Sequence, residues 1–230
     1  TMSLFSAQMC TSPQNIYIPK SGIRTATGRV DAAEFGERLA TAMKYVAADG
    51  KRAGAILAAI QSPSTLHLID ELQDRGAKMG RVLLESSSYV HGDFPQARTR
   101  TPLLVELEAD RPEALFTIER FGPIGFVIHC DDRDAALAHA TTDAKQAGAI
   151  TAFLYSTDEA YIERAEQAYS LAGAQLTINL TGPMPLNLAA AYSDYHVTGL
   201  NPAGNATLTD LAFVASRFRI TQSRRLIKDS

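Results

Sequence analysis

Several features that define large classes of protein are scarce or missing in these 230 residues. Only two cysteines occur, Cys10 and Cys130, which are too few for a disulfide framework. We therefore expect a protein of a reducing compartment, the cytoplasm. No apolar run approaches the roughly 20 residues of a membrane span, so we expect no membrane partner. The net charge is −3 and no long basic run occurs, so the electrostatic footprint of nucleic-acid binding is missing.

The composition is otherwise that of a globular protein. Hydrophobic residues make up 46% of the chain and charged residues 20%. The chain begins with Thr1, in what reads as the middle of a structural element, so we interpret it as a piece of a longer protein. The histidines show no metal-ligand spacing, and His129 and Cys130 point to opposite sides of a predicted strand. We therefore predict no metal site.

The order of predicted elements indicates an α/β fold with a mainly parallel sheet. The run 124–128 is apolar throughout, which is typical of a strand buried on both faces. A capping box at Asp31 predicts a helix start, and we expect Gly50 and Gly76 to end the first two helices. A long loop is predicted over 181–206 and a last helix over 207–218. The other predicted strands lie at 14–18, 81–85, 102–107, 149–155 and 176–180, and the other helices at 131–146 and 158–172.

A cysteine near the start of the chain is the first candidate for chemistry. The stretch Ala7-Gln8-Met9-Cys10 precedes a predicted strand, and a thiolate with a lowered pKa or a nearby base is a nucleophile. A lone cysteine is more often a small buried hydrophobe, which is how we interpret Cys130 at the end of an apolar strand. A second segment, Glu119-Arg120-Phe121-Gly122-Pro123, ends in a turn. By itself, Glu119 would be a solvated surface residue.

Four segments, in this order, resemble the aldehyde dehydrogenase superfamily. Ala7-Gln8-Met9-Cys10 stands where that family has Gly-Gln-x-Cys, and Glu119-Arg120-Phe121-Gly122-Pro123 resembles its Glu-x-Phe-Gly-Pro. The stretches 149–156 and 176–179 resemble two later strands of the same catalytic domain. The resemblance covers nearly the whole chain and corresponds to the C-terminal half of a full-length enzyme.

This resemblance implies a three-layer αβα catalytic domain over residues 1–217. It also implies a C-terminal oligomerisation strand or tail over 218–230, and a homo-oligomer of the intact protein. The implied activity is NAD- or NADP-dependent: Cys10 attacks an aldehyde, hydride passes to the nicotinamide, and the thioester is hydrolysed. The backbone N–H of Cys10 and an upstream asparagine would bind the oxyanion. Glu119 would accept hydrogen bonds from the ribose hydroxyls, and Phe121 would pack beside the nicotinamide ring.

Within the family, the stretches 10–19 and 195–205 look closest to the phenylacetic acid degradation branch. That branch implies an aldehyde produced after the opening of an aromatic ring. Three residues of the predicted 181–206 loop are candidates for substrate contact, since the loop would line the substrate tunnel. They are Tyr192, Tyr195 and His196.

The sequence also departs from the family pattern. Ala7 replaces a glycine, which costs little if the backbone avoids positive φ at this point. The family's nucleotide-binding half, general-base glutamate and oxyanion asparagine lie upstream of the cysteine. We therefore expect this chain alone to bind dinucleotide weakly and to have negligible turnover. Two alternatives stay open: a coenzyme-A-acylating dehydrogenase, which resolves the thioester with a thiol, and a non-catalytic oligomerisation domain that keeps the fold.

Overall fold

A computed structural model describes residues 2–110 and 115–180, together with the short stretches 186–187, 192–193 and 221–223. The chain divides into two compact units, Thr1–His139 and Ala140–Ser230. Within the described residues, no helix is long and apolar enough to cross a membrane.

The first unit is built around a four-stranded sheet. A short 3₁₀ turn, Leu4–Ala7, precedes the first strand. The sheet has the order β1-β6-β5-β4, with β1 parallel to β6, β6 parallel to β5, and only β4 antiparallel to its neighbour. A small hairpin pairs β2 with β3. The elements are β1 (Asn15–Pro19), β2 (Ile23–Thr25), β3 (Gly28–Val30), α1 (Ala32–Ala47), α2 (Gly50–Ile56), α3 (Pro63–Met79), β4 (Arg81–Leu84), β5 (Leu103–Glu108) and β6 (Ile124–Cys130).

The second unit carries a smaller parallel sheet with the order β11-β8-β7. The helix before β7 begins in the first unit and ends in the second. The elements are α4 (Arg133–Ala147), β7 (Thr151–Leu154), α5 (Glu159–Ala172), β8 (Gln175–Ile178), β9 (Leu186–Asn187), β10 (Tyr192–Ser193) and β11 (Thr221–Ser223). In the stretch predicted as a C-terminal oligomerisation strand, β11 pairs with β8 of the same chain.

The central strands of the first sheet are buried on both faces. In β5 and β6, Val105 and Phe126 join one apolar cluster, which also contains Ile69 and Leu72 of α3. The alternate residues Leu104 and Val127 join a second cluster with Ala40 and Met43 of α1. Because side chains alternate across a strand, α3 covers one face of the sheet and α1 covers the other. The prediction of an αβα arrangement with a mainly parallel sheet is therefore confirmed.

Two glycines predicted to end helices do not end them. Helix α1 ends at Ala47, and Gly50 is the first residue of α2. Helix α2 was not predicted from the sequence. Asp49 caps α2 by accepting a hydrogen bond from the backbone N–H of Arg52 at 2.8 Å. Helix α3 continues through Gly76 to Met79, since this glycine faces the sheet. A Cβ on Gly76 would lie 2.9 Å from both methyl groups of Val105, so the glycine serves close packing.

Two predicted helix starts are confirmed by their caps. Asp31 Oδ1 accepts from the backbone N–H of Glu34 at 2.8 Å, and Asp158 Oδ1 accepts from that of Tyr161 at 3.1 Å. The predicted strands and helices from 102 to 180 are found within a few residues of their expected bounds. Most of the predicted 181–206 loop and all of the predicted 207–218 helix lie outside the described residues.

Candidate active site

The candidate nucleophile lies on a turn just before β1. The Cys10 side chain is exposed, and the backbone N–H of Ser12 donates to Met9 O at 3.0 Å to close the turn. Upstream, Phe5, Ser6 and Ala7 have φ values of 52°, 54° and 49°. The backbone is therefore left-handed at Ala7, so the condition under which alanine would replace glycine at little cost is not met.

Tertiary hydrogen bonds hold this left-handed stretch in place. Ser6, which is fully buried, donates through Oγ to Ala58 O at 2.9 Å. Gln8 donates through Nε2 to Ala59 O at 3.0 Å and accepts through Oε1 from the backbone N–H of Gln61 at 2.9 Å. Each such hydrogen bond stabilises the turn by about 1 kcal/mol. The strain of a left-handed backbone is of the order of 1–3 kcal/mol per residue, so the three bonds together offset it only in part. Packing of the buried Ala7 adds to this support.

A second glutamine side chain connects the cysteine turn to the segment that contains Glu119. Gln14 Nε2 donates to Phe116 O at 3.1 Å and to Ile118 O at 3.2 Å. Its Oε1 accepts from the backbone N–H of Arg120 at 2.7 Å. These contacts bridge more than 100 residues of sequence. They bring together the two segments that carry the predicted nucleophile and the predicted cofactor contacts.

The two segments meet at one cleft, which we call the Cys10 cleft. Residues on both sides of Cys10 line it, as do Glu119 and Phe121. Glu119 is exposed, and Phe121 is 46% exposed, which is high for so large an apolar ring. The residues that line the Cys10 cleft are Ala7, Met9, Ser12, Pro13, Gln14, Glu119, Arg120, Phe121, Gly122 and Ile124.

The turn at the end of the second segment requires its glycine. Gly122 has a φ of 153°, a region in which other residues are strained. A Cβ on Gly122 would also lie 2.8 Å from Thr65 Cγ2. The turn therefore carries the chain from the exposed Phe121 directly into the buried β6 strand.

The second cysteine has the opposite environment. Cys130 is 1% exposed and packs in the cluster beneath α3, as predicted for a core residue. Burial, together with the nearby carboxylates of Asp110 and Asp131, raises the pKa of its thiol to about 12. Cys130 is therefore protonated at neutral pH and is no nucleophile.

His129, the neighbour of Cys130, points to the other side of β6. Its Nε2 lies 3.0 Å from Glu106 Oε1, and its Nδ1 lies 3.8 Å from Glu108 Oε1. Lys20 Nζ forms ion pairs with Glu108 Oε2 at 3.1 Å and with Asp131 Oδ1 at 2.7 Å. In the part of the chain that the structure describes, no group of three or more His, Cys, Asp or Glu side chains is arranged so that it could hold a metal ion.

The predicted substrate contacts fall almost entirely beyond the described residues. Tyr192 belongs to β10, where it pairs with Asn187 of β9. Tyr195 and His196 lie outside the described residues. Their roles therefore stay predictions.

The sequence pattern does not identify the residues that hold the site together. Gln8 stands in the cysteine motif and Gln14 in the stretch 10–19, and neither has a predicted role. A usable signal exists, because an amide carries both a donor and an acceptor and two glutamines flank Cys10 within seven residues. Their tertiary partners, however, are backbone groups 51 to 106 residues away, which no local pattern identifies.

Comparison with known proteins relates this fold and cleft to a family. No protein-family model and no curated protein matches the chain. Among solved structures, an NAD-dependent aldehyde dehydrogenase from Burkholderia multivorans is similar, with 42% sequence identity and a TM-score of 0.78. The match covers 95% of this chain and 38% of that enzyme. The chain has the fold of an aldehyde dehydrogenase catalytic domain.

More distant aldehyde dehydrogenases share this fold. One is a methylmalonate-semialdehyde dehydrogenase from Sinorhizobium meliloti in complex with NAD, with 13% identity and a TM-score of 0.56 over 80% of this chain and 35% of that one. Another is an NADP-dependent glyceraldehyde-3-phosphate dehydrogenase from Bacillus halodurans in complex with NADP. It has 14% identity and a TM-score of 0.52 over 78% of this chain and 33% of that one. The chain thus spans less than half the length of these enzymes.

Proposed function

We propose that this chain is the catalytic-domain part of an NAD- or NADP-dependent aldehyde dehydrogenase, with Cys10 as its nucleophile. The observation that carries the proposal is the Cys10 cleft. There, the residues on both sides of the exposed Cys10 line one cleft with an exposed carboxylate and an exposed aromatic ring from a distant segment, in the fold of an aldehyde dehydrogenase catalytic domain. The identity of 42% over 95% of the chain supports the same family assignment.

Cys10 has the accessibility that nucleophilic attack requires. Its thiolate sulfur would form a bond to the aldehyde carbon, giving a thiohemiacetal whose oxyanion accepts hydrogen bonds from nearby N–H groups. Loss of hydride from that carbon leaves a thioester on Cys10. Attack by water then releases the acid and returns the thiol. The anchored turn favours the first step, since it fixes the sulfur in one place before the substrate arrives.

The residues at the cleft fit the nicotinamide end of the cofactor. Glu119 presents a carboxylate, which can accept hydrogen bonds from two neighbouring ribose hydroxyls. Phe121 presents an apolar face beside it, against which a flat ring can pack. When bound, the oxidised nicotinamide accepts the hydride. We propose that Glu119 and Phe121 orient this ring toward the carbon attached to Cys10.

The test uses the full-length protein that contains this chain. We expect Cys10→Ala to lower kcat/KM for aldehyde oxidation by at least about a thousandfold, because the covalent step is lost. Cys130→Ala is the matched control, since it removes the buried cysteine, and we expect it to oxidise aldehydes at close to the normal rate. Retained oxidation by Cys10→Ala would contradict the nucleophile assignment.

The same assay separates the alternatives. Formation of an acyl-coenzyme A instead of the free acid would identify an acylating dehydrogenase. A wild-type protein that oxidises no aldehyde would favour a non-catalytic domain that retains the fold. Negligible turnover by this chain in isolation stays a prediction.

For the substrate we propose an aldehyde released after ring opening in aromatic acid breakdown. The stretches 10–19 and 195–205, which resemble the phenylacetic acid degradation branch, support this choice. A kcat/KM at least tenfold higher for an unsaturated medium-chain aldehyde than for acetaldehyde is the expected result.

We also propose that the intact protein is a homo-oligomer, which light scattering of the full-length protein tests. We propose a reducing compartment such as the cytoplasm, because such a compartment keeps an exposed thiol reduced.

A further inference from the structure

The segment that carries Glu119 is anchored in the core at both ends and exposed between them. Leu115 and Phe116 are buried at its start, and Phe116 packs edge-on against Tyr17 at 6.2 Å. Gly122 and Pro123 are buried at its end, where the chain enters β6. Between these ends the side chains of Thr117, Ile118, Glu119 and Phe121 are exposed. The conformation of this middle part therefore depends on hydrogen bonds more than on apolar packing.

Gln14 brackets Glu119 from both sides. Its amide donates to the carbonyl of Ile118 and accepts from the N–H of Arg120, the two residues that flank Glu119. The neighbouring Asn15 reaches only to the start of the segment, where its Nδ2 donates to Phe116 O at 2.9 Å. The two peptide groups beside Glu119 are thus held by one planar side chain.

Gln14 is itself held rigidly. Its backbone carbonyl accepts from the N–H of Phe126 in β6 at 2.9 Å, and β1 begins at the next residue. It also follows Cys10 by four residues and lines the same cleft. One residue therefore connects the nucleophile turn and the central strand, through its backbone, to the proposed cofactor contacts, through its side chain.

We infer that Gln14 is the positioning residue that sets the orientation of Glu119 and Phe121 relative to Cys10. The inference rests on the proposed function, since it concerns the cofactor that Glu119 and Phe121 would contact. Gln14 suits this role because its amide offers a donor and an acceptor on one planar group at every pH. It acts through the backbone of the 116–122 segment and takes no part in bond making.

The test compares Gln14→Met with wild type in the full-length protein. Methionine keeps the length of the side chain but has neither the N–H donor that binds Ile118 O nor the carbonyl oxygen that accepts from the Arg120 N–H, so both bonds are lost. We expect the dissociation constants of NAD and NADP, measured by calorimetry, to rise about five- to thirtyfold. Alkylation of Cys10 in the absence of dinucleotide should keep its wild-type rate. Hydrogen exchange should accelerate in the peptide that contains Arg120.

Gln73→Met is the matched control, because Gln73 also accepts from a distant backbone N–H, that of Ser86 at 2.8 Å. It should lower thermal stability without changing either dissociation constant. Gln14→Glu is the second variant, and it carries the test if Gln14→Met does not fold. The introduced carboxylate can accept from Arg120 but can donate to Ile118 only when protonated. We therefore expect its dinucleotide affinity, relative to wild type, to improve as the pH falls toward 4.

Different results separate the positioning role of Gln14 from the proposed function of the chain. A folded Gln14→Met protein with faster exchange at Arg120 and unchanged dinucleotide affinity would overturn the positioning role alone. An equal loss of affinity in Gln73→Met would also overturn it, since general destabilisation would then be the cause. A wild-type protein that binds neither dinucleotide would overturn the proposed function, and the positioning role with it.

Discussion

At the scale of single residues, burial separates the two cysteines. Cys10 is exposed on its turn, whereas Cys130 is 1% exposed and its thiol has a pKa raised to about 12 by burial. The sequence pattern predicted this difference, because an apolar strand ends at Cys130 and a motif that resembles the aldehyde dehydrogenase Gly-Gln-x-Cys ends at Cys10. The environment of each thiol, which decides its reactivity, comes from the fold.

We expect iodoacetamide at neutral pH to modify Cys10 and leave Cys130 unmodified in the folded protein. With a pKa near 12, only about one Cys130 in 10⁵ is a thiolate at pH 7, and the side chain is also inaccessible. Mass spectrometry of tryptic peptides over a time course measures both rates. In Cys10→Ala, labelling should appear only after unfolding in denaturant. Rapid labelling of Cys130 under native conditions would contradict this assignment.

Also at the residue scale, Ala7 shows how a local rule fails in the stretch that leads to Cys10. Alanine disfavours a φ of 49°, and two further non-glycine residues before it share this conformation. The hydrogen bonds of Ser6 and Gln8 to the 58–61 stretch stabilise the turn despite this preference. Such strain is common where a fold holds a reactive group in a defined position.

At the scale of elements, the caps of two helices were predictable, whereas the two helix ends predicted at Gly50 and Gly76 were wrong. An aspartate cap acts on an N–H three residues ahead, so Asp31 and Asp158 are recognised from sequence alone. A glycine has two meanings, because it can end a helix or allow close approach of a neighbour. Gly76 has the second meaning, and only the position of Val105 in the neighbouring sheet reveals it.

We expect Gly76→Ala to destabilise the protein by about 1–2 kcal/mol, although alanine favours helix by about 1 kcal/mol. The added methyl would lie 2.9 Å from both branches of Val105, whose side chain has little rotational freedom. Urea unfolding measures the difference. Introduced into Val105→Ala, Gly76→Ala should cost less stability than it does in wild type, because the clash is gone. Gly92→Ala, where an added Cβ meets nothing within 4 Å, is the control and should change stability little. A Gly76→Ala protein more stable than wild type would show that the glycine is a simple helix weakness.

At the scale of the whole molecule, buried groups that must stay protonated set an alkaline limit to stability. Cys130 in the first unit has a pKa raised from 9.0 to about 12, and burial also raises the pKa of Tyr169 in the second unit. Below pH 9 both groups carry their protons in the folded and the unfolded chain. Above it, the unfolded chain releases protons that the folded chain retains, so stability falls as the pH rises.

We expect the free energy of unfolding to decrease between pH 9 and pH 12 with a slope approaching about 1.4 kcal/mol per pH unit for each group. Cys130→Ala should flatten the decrease from pH 9, and Tyr169→Phe should flatten it from about pH 10. Urea unfolding at half-unit pH intervals measures these slopes. Unfolding at pH 7 provides the reference for packing lost in each variant. Slopes equal to wild type in both variants would place the alkaline limit in other groups.

The amino-acid pattern alone predicts the αβα layers, because the continuous apolar run at β6 requires burial on both faces. The ordered motifs also pick out Cys10 and Glu119 as candidates, through their resemblance to aldehyde dehydrogenases. The assembly of the candidate site, in contrast, follows only from the tertiary fold. The Cys10 turn adopts a conformation that its own residues disfavour, and Gln14 reaches Arg120 across 106 residues of chain. Both depend on hydrogen bonds between distant segments, and local sequence patterns carry no information about such bonds.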